Sequence, residues 1–202
     1  MLGPGDERAG ADALVASHAD YPAFRSVFPD ATRRERALRP FFEATLRDAI
    51  PFGHVLGAWA DTHVLGVGAW LPPGAFPWTA GRKARAALSF MRVLAGDPRS
   101  FLKFTRYGAN AEEAHPADQH WYLVVLGIRP DAQRHGWGRQ LLGPVIGHAD
   151  KFGQDCFLET SDPANIDYYR RFGFEIENAA LELVPGGPTH TAMRRRPQRP
   201  YR

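Results

Sequence analysis

The chain has 202 residues, 44% hydrophobic and 23% charged, with a formal net charge of +3. That balance suits one soluble globular domain and excludes a disordered chain. The longest apolar run, Trp121–Ile128, is far short of the roughly 20 residues a membrane helix needs.

The charge is uneven. Arg194, Arg195, Arg196, Arg199 and Arg202 fall in the last nine residues, which leaves residues 1–193 at −2. The body is therefore not a basic surface for nucleic acid. Cys156 is the one cysteine, so no internal disulfide and no Cys-rich metal site can form. The eight histidines show no metal-ligand spacing, and no metal is expected. Without a visible secretory leader, a cytoplasmic protein is expected.

One domain is expected over 11–194, with residues 1–10 disordered and 195–202 a mobile basic tail. Residues 11–19 predict a short helix. A longer one starts near Asp30 or Thr32, with Leu38, Phe41, Phe42, Thr45, Leu46 and Ala49 at helical spacing, and ends at Pro51 and Gly53. A hairpin over 54–60 and 64–71 follows, stopped by Pro72-Pro73-Gly74. Residues 81–94 and 98–111 predict two helices, the second capped by Asp97. The apolar stretch 120–128 predicts a buried strand. Helix 136–152, carrying Pro144, strand 155–160, helix 163–172 and strands 174–184 and 189–194 complete the order. Strand, helix, strand implies a crossover and at least one parallel pair.

The segment Ile128–Arg139, between a buried strand and an amphipathic helix, carries the most information. Backbone N–H groups at a helix start have no internal partner and sit at the positive end of the dipole, so they can hold a phosphate. Gly136 and Gly138 allow close approach of a ligand, and Arg134, His135 and Arg139 add donors. On this loop alone, a glycine turn with no ligand is the other reading. It is neither a Walker loop nor a dinucleotide fingerprint.

The spacing Gln133-x-x-Gly136-x-Gly138 after a strand resembles the pyrophosphate loop of the GNAT superfamily of acyl-CoA N-acyltransferases. Leu126–Pro130, Asp155–Thr160 and Asn165–Phe174, with Tyr169 four residues before Gly173-Phe174, resemble the strands and the Asn, Tyr and Gly-Phe signature that follow in that family. Leu158–Ser161, Trp70–Gly74 and Phe28-Pro29-Asp30 resemble the branch containing puromycin N-acetyltransferase.

The resemblance implies an α+β fold: a mixed, mostly antiparallel sheet with a splayed parallel pair and helices on both faces. It implies acetyl-CoA as cosubstrate and a small-molecule primary amine as acceptor, attacking directly through a tetrahedral intermediate. Backbone N–H groups of Arg134, His135, Gly136, Trp137, Gly138 and Arg139 would bind the pyrophosphate, and Gln133 belongs to the same cofactor-binding turn. Leu126, Gly127 and Ile128 would pair with the pantetheine arm, with a bulge at Gly127, and Asn165 would touch the cofactor. Tyr169 matches the family's general acid; its other reading is a packing tyrosine, as is expected for Tyr168.

Glu159 is the first choice for the base, against a purely structural carboxylate, and His120 is a second choice. Glu43 is a candidate substrate contact. Cys156 is expected to be a buried core thiol. Trp59, Trp70, Phe76, Trp78, Trp121 and Tyr122 either line an acceptor pocket or belong to the core. A coenzyme A sensor without catalysis, a peptide amine acceptor, and nucleic-acid binding through the tail are the competing readings. The hairpin and the helical insert offer faces for a homodimer.

Overall fold

The computed structural model describes residues 1–198. Its elements are α1 (Glu7–Ser17), α2 (Pro22–Val27), α3 (Ala31–Ala49), β1 (Val55–Ala60), β2 (His63–Leu71), α4 (Ala80–Gly96), α5 (Pro98–Ala114), β3 (Trp121–Ile128), α6 (Trp137–Phe152), β4 (Cys156–Thr160), α7 (Ala164–Arg170), β5 (Glu175–Leu181) and β6 (His190–Arg195). The strands form one sheet in the order β1-β2-β3-β4-β6-β5. Only β3 and β4 run parallel; every other pair is antiparallel. This is the expected α+β architecture.

Helix starts follow local chemistry. The Asp30 carboxylate accepts from the Arg33 amide at 2.8 Å, and Asp97 accepts from the Ser100 amide and hydroxyl. Gly153, in the left-handed region, stops α6.

The sheet buries side chains on both faces. On one, Leu14, Phe42, Leu46, Val67, Val125 and Phe157 pack under α1 and α3. On the other, Trp70, Leu123, Leu142, Ile146, Leu158 and Met193 pack under α6 and α7. Alternate residues of β4 therefore point to opposite cores: Phe157 to the first, Leu158 to the second. Cys156 is buried in the second, as expected.

The α4–α5 hairpin stands on α3 and reaches over the sheet. Arg82 Nε donates to Asp48 Oδ1 at 2.7 Å in a nearly buried pair. Asn110 Nδ2 donates to the Leu183 carbonyl at 2.9 Å, tying α5 to the segment after β5.

Both chain ends differ from expectation. Residues 1–10 are ordered: Leu2 is 4% exposed, its amide donates to the Val55 carbonyl at 2.9 Å, and α1 starts at Glu7. A short second helix, α2, precedes the turn at Pro29. Arg194 lies in β6 as expected, and Arg195 extends that strand rather than opening a tail. The guanidinium of Arg195 makes two bonds to Asp150 at 2.6 and 2.8 Å, and Arg194 binds Asp118, Asp155 and Glu177. Arg199 and Arg202 of the expected tail lie outside the described residues. Among the described residues, no helix is long and apolar enough to cross a membrane.

Candidate active site

The sheet opens between β3 and β4. Their ladder holds only at Trp121–Cys156 and Tyr122–Phe157. The cause lies one strand over. Ala69 faces Val125 while Trp70 faces Leu123, which leaves Val124 as an extra residue in β3. Such a bulge bends and twists its strand, so β3 departs from β4 where the extra residue sits. The bulge is thus at Val124, not at Gly127 as the sequence suggested. Gly127 pairs regularly with Val67. It lacks a side chain because a Cβ there would collide with Ser17 and lie 2.9 Å from His18 and Leu14, at the end of α1.

A cavity of about 1420 Å³ fills this gap. The Val124, Leu126, Gly127 and Ile128 stretch forms one wall, and Leu158, Glu159 and Thr160 of β4 form another. At one end lies the turn before α6. Arg134 has φ +66° and Gly136 φ +82°, so the chain curls and successive amides face one side. Among the described residues, the N–H groups of Arg134 to Gly138 have no protein acceptor. This is a cradle fitted to an anion at the positive end of a 16-residue helix. The Arg139 amide is already bonded to the Gly136 carbonyl at 3.1 Å, so the cradle is one residue shorter than expected.

The side chains of this turn divide. Gln133, Arg134, Trp137 and Arg139 line the cavity. His135 does not: its Nδ1 lies 2.8 Å from the Gln133 carbonyl and 3.3 Å from that of Ala132, fastening the turn from within. Gln133 Nε2 likewise donates to the Ile128 carbonyl at 3.2 Å.

From α7, Asn165, Tyr168 and Tyr169 all reach the cavity wall. Asn165 Nδ2 donates to Thr160 Oγ1 at 3.3 Å, which fixes α7 against the end of β4. Tyr169 is 7% exposed and packs on Phe174. Burial raises its phenol well above the ordinary tyrosine range, so it keeps its proton at any working pH. Tyr168, expected only to pack, also faces the cavity, with its hydroxyl over Gly138.

Glu159 enters from β4 toward the α1–α3 side, its side chain 9% exposed. Its negative charge helps raise the phenols of Tyr21, Tyr107 and Tyr122, after burial itself. Among the described residues it pairs with no Lys or Arg; the closest basic atom is His115 Nδ1 at 3.9 Å.

Behind it, His115 and His120 share an Nε2–Nε2 contact of 3.0 Å, and the Nδ1 atom of each is buried without a partner among the described residues. His120 is 4% exposed and is not on the cavity wall, and neither is Glu43. His115 was not expected; it reaches Glu159 only because the 115–120 loop folds it back beside His120.

Of the expected aromatic residues, Phe76, Trp78 and Tyr122 line the cavity, while Trp70 and Trp121 belong to the core beneath α6. Trp59 packs partly buried against the other core.

An opened parallel strand pair with a helix-start anion cradle at its mouth is the arrangement that the sequence resemblance implies. The sequence model of the Acetyltransferase (GNAT) family matches residues 17–174, and the chain belongs to that family. An uncharacterised N-acetyltransferase of Schizosaccharomyces pombe is 37% identical over 62 residues, which is 31% of this chain and a quarter (25%) of that relative.

Three solved structures share the fold. One is described as histone acetyltransferase HPA2 and related acetyltransferase from Corynebacterium glutamicum (TM-score 0.69, 20% identity, covering 100% of this chain and 96% of that one). Another is arylalkylamine N-acetyltransferase 2 from Aedes aegypti (0.61, 15%, covering 98% and 97%). The third is the PaiA N-acetyltransferase of Thermoplasma acidophilum in complex with coenzyme A (0.57, 15%, covering 96% and 95%).

Proposed function

We propose that the protein transfers an acetyl group from acetyl-CoA to a primary amine of a small molecule. One observation carries this reading: the unpaired amides before α6, the open edge of β3, the Tyr169 phenol and the Glu159 carboxylate all border a single cavity. A coenzyme A complex of a neighbour with the same fold supports the cosubstrate, and an arylalkylamine N-acetyltransferase among the neighbours supports a small amine.

In this reading, the N–H groups of Arg134 to Gly138 hold the pyrophosphate, and Arg134 and Arg139 add positive charge. The backbone edge of β3 from Val124 to Ile128 takes the pantetheine amides as an added strand would be taken. Acetyl-CoA supplies an activated acyl group on sulfur. A backbone N–H beside the Val124 bulge steadies the carbonyl oxygen as charge develops there, an effect worth about 3 kcal/mol in comparable sites.

Glu159 binds the incoming ammonium and takes its proton, freeing the lone pair for direct attack. Tyr169 returns a proton to the departing sulfur; a buried neutral phenol is suited to this. Cys156 has no part: burial raises its thiol to about 12, and it lies in the core beneath α6.

Two measurements test the proposal. Calorimetry with coenzyme A should register binding, and a thiol-release assay with acetyl-CoA and an amine panel should register turnover that Tyr169→Phe removes. Binding without turnover across a broad panel would favour a sensor. No heat with any coenzyme A derivative would end both readings.

A further inference from the structure

The acceptor end of the cavity differs from the anion end in both charge and surface. Its walls are rings. Trp78, Phe90, Phe104, Phe41 and Phe24 run in sequence along one side, each ring centroid within 6.2 Å of the next. Phe76 closes the other side at 4.9 Å from Tyr122. These residues come from α2, α3, the loop between β2 and α4, the α4–α5 hairpin and β3, and the hairpin is pinned over them by Arg82–Asp48 and by Asn110.

Charge at this end is sparse. Lys83 Nζ lies 2.6 Å from Glu112 Oε2, so these two lining residues neutralise each other. Asp20 and Asp162 line the wall as well, but Asp20 is exposed and Asp162 accepts from the Ala164 amide. Glu159 is left as a nearly buried carboxylate with no Lys or Arg partner among the described residues.

From this we infer that the acceptor is a singly charged primary amine carried on an aromatic or bulky apolar body. The inference rests on the amine-acetylating reading and deepens it. One ammonium meets one carboxylate, which answers the cost of burying either alone. The body meets ring faces, which favour apolar and aromatic partners. A second full charge, as in a polyamine or a guanidino-amine, would lie among phenyl rings. Cation–π attraction to those rings is weaker than the hydration such a charge gives up in leaving water.

The test uses direct binding as well as turnover. 2-Phenylethylamine, 2-phenylethanol, agmatine and spermidine are titrated into the protein alone and into the protein saturated with coenzyme A. 2-Phenylethylamine should bind about tenfold or more tighter than each of the other three. Glu159→Gln should bring the amine and the alcohol to within about twofold of one another, and Phe41→Ala should weaken the aryl amine about fivefold or more. In each variant, retained coenzyme A binding shows that the fold is intact.

Agmatine or spermidine binding as well as the aryl amine, or Glu159→Gln leaving the amine–alcohol preference in place, would overturn the inference. Thiol release at similar kcat/KM for all three amines would also overturn it while acetyl transfer stood. Selective aryl-amine binding with no thiol release would uphold it while acetyl transfer fell.

Discussion

The hydroxyl of Tyr168 occupies the space that a Cβ would need at residue 138. Gly138 is therefore small because a neighbour crosses it on the cavity side, in the first turn of α6, and not only because a ligand approaches. Gly138→Ala should push Tyr168 away from the cradle. Coenzyme A affinity by calorimetry should fall about tenfold, with little change in Tm, since Ala favours a helix by about 1 kcal/mol over Gly. Adding Tyr168→Phe should restore part of the affinity. An unchanged Kd in Gly138→Ala would separate Tyr168 from the cradle.

Tyr169 is the acid in the proposed reaction. Tyr169→Phe keeps the ring that packs on Phe174, so the fold should be retained. General acids contribute about 10²–10⁴-fold, and kcat should fall by about 10² or more with the KM for acetyl-CoA little changed. Because burial raises this phenol far above the usual range, wild-type kcat should show no alkaline decline from its ionisation below pH 10. Stopped rates across pH 6–10 check both points.

The loop and the tyrosine were legible in the sequence because their chemistry is local. The end of a strand, a Gln-x-x-Gly-x-Gly turn and the first turn of a helix fall within twelve consecutive residues, Ile128 to Arg139. What was misread depends on neighbours distant in sequence. The bulge is set by the register of β2 against β3, which places the extra residue at Val124. Gly127 invited the bulge, but its bareness answers Ser17 and His18 from α1, more than a hundred residues earlier.

The acceptor wall was half visible. Phe76, Trp78 and Tyr122 are among the rings that the sequence leaves open between pocket and core; Phe41 stands only in a helical spacing, and Phe24, Phe90 and Phe104 are not singled out. Their periodicity is that of any buried helix face, and only the placement of the α4–α5 hairpin turns them toward a cavity. The Arg-rich end misled for the opposite reason. Charge and proline suggested a free tail, yet Arg195 finds a carboxylate on α6 and lies 2% exposed.

Breaking that contact should be costly. Besides its two bonds to Asp150, Arg195 donates from Nε to the Phe172 carbonyl at 2.7 Å, and Asp150 accepts from the Gln198 amide at 2.6 Å. Arg195→Gln would leave Asp150 without its charge partner. Loss of one member of a fully buried pair typically costs about 3–5 kcal/mol, and with the Asp150 side chain 23% exposed the cost should fall somewhat below that range. Urea unfolding should show a drop of about 2–3 kcal/mol, and Arg195→Met with Asp150→Asn together should lose less than the two single changes summed. Full additivity would mean that the two side chains do not stabilise one another.

Two buried histidines contribute strongly to the response to acid. His18 is 8% exposed, with Nδ1 2.9 Å from the Leu14 carbonyl, and His190 is 1% exposed beside Tyr107. Burial lowers each to about 4 from an unfolded value of 6.5. Above pH 6.5 both are neutral, folded or unfolded, and they impose no penalty. As pH falls from 6.5 toward 4, the unfolded chain binds protons that the folded chain does not, and stability is lost, up to roughly 3 kcal/mol for each group. Urea midpoints measured between pH 7 and 4 should fall steeply through this window. The double change His18→Leu and His190→Leu should flatten the slope, whatever it does to stability at pH 7. An equally steep fall in that variant would assign the acid sensitivity to His120 and His54, which burial also lowers; Asp118 and Asp150, held below the usual carboxylate range, give up stability only below about pH 4.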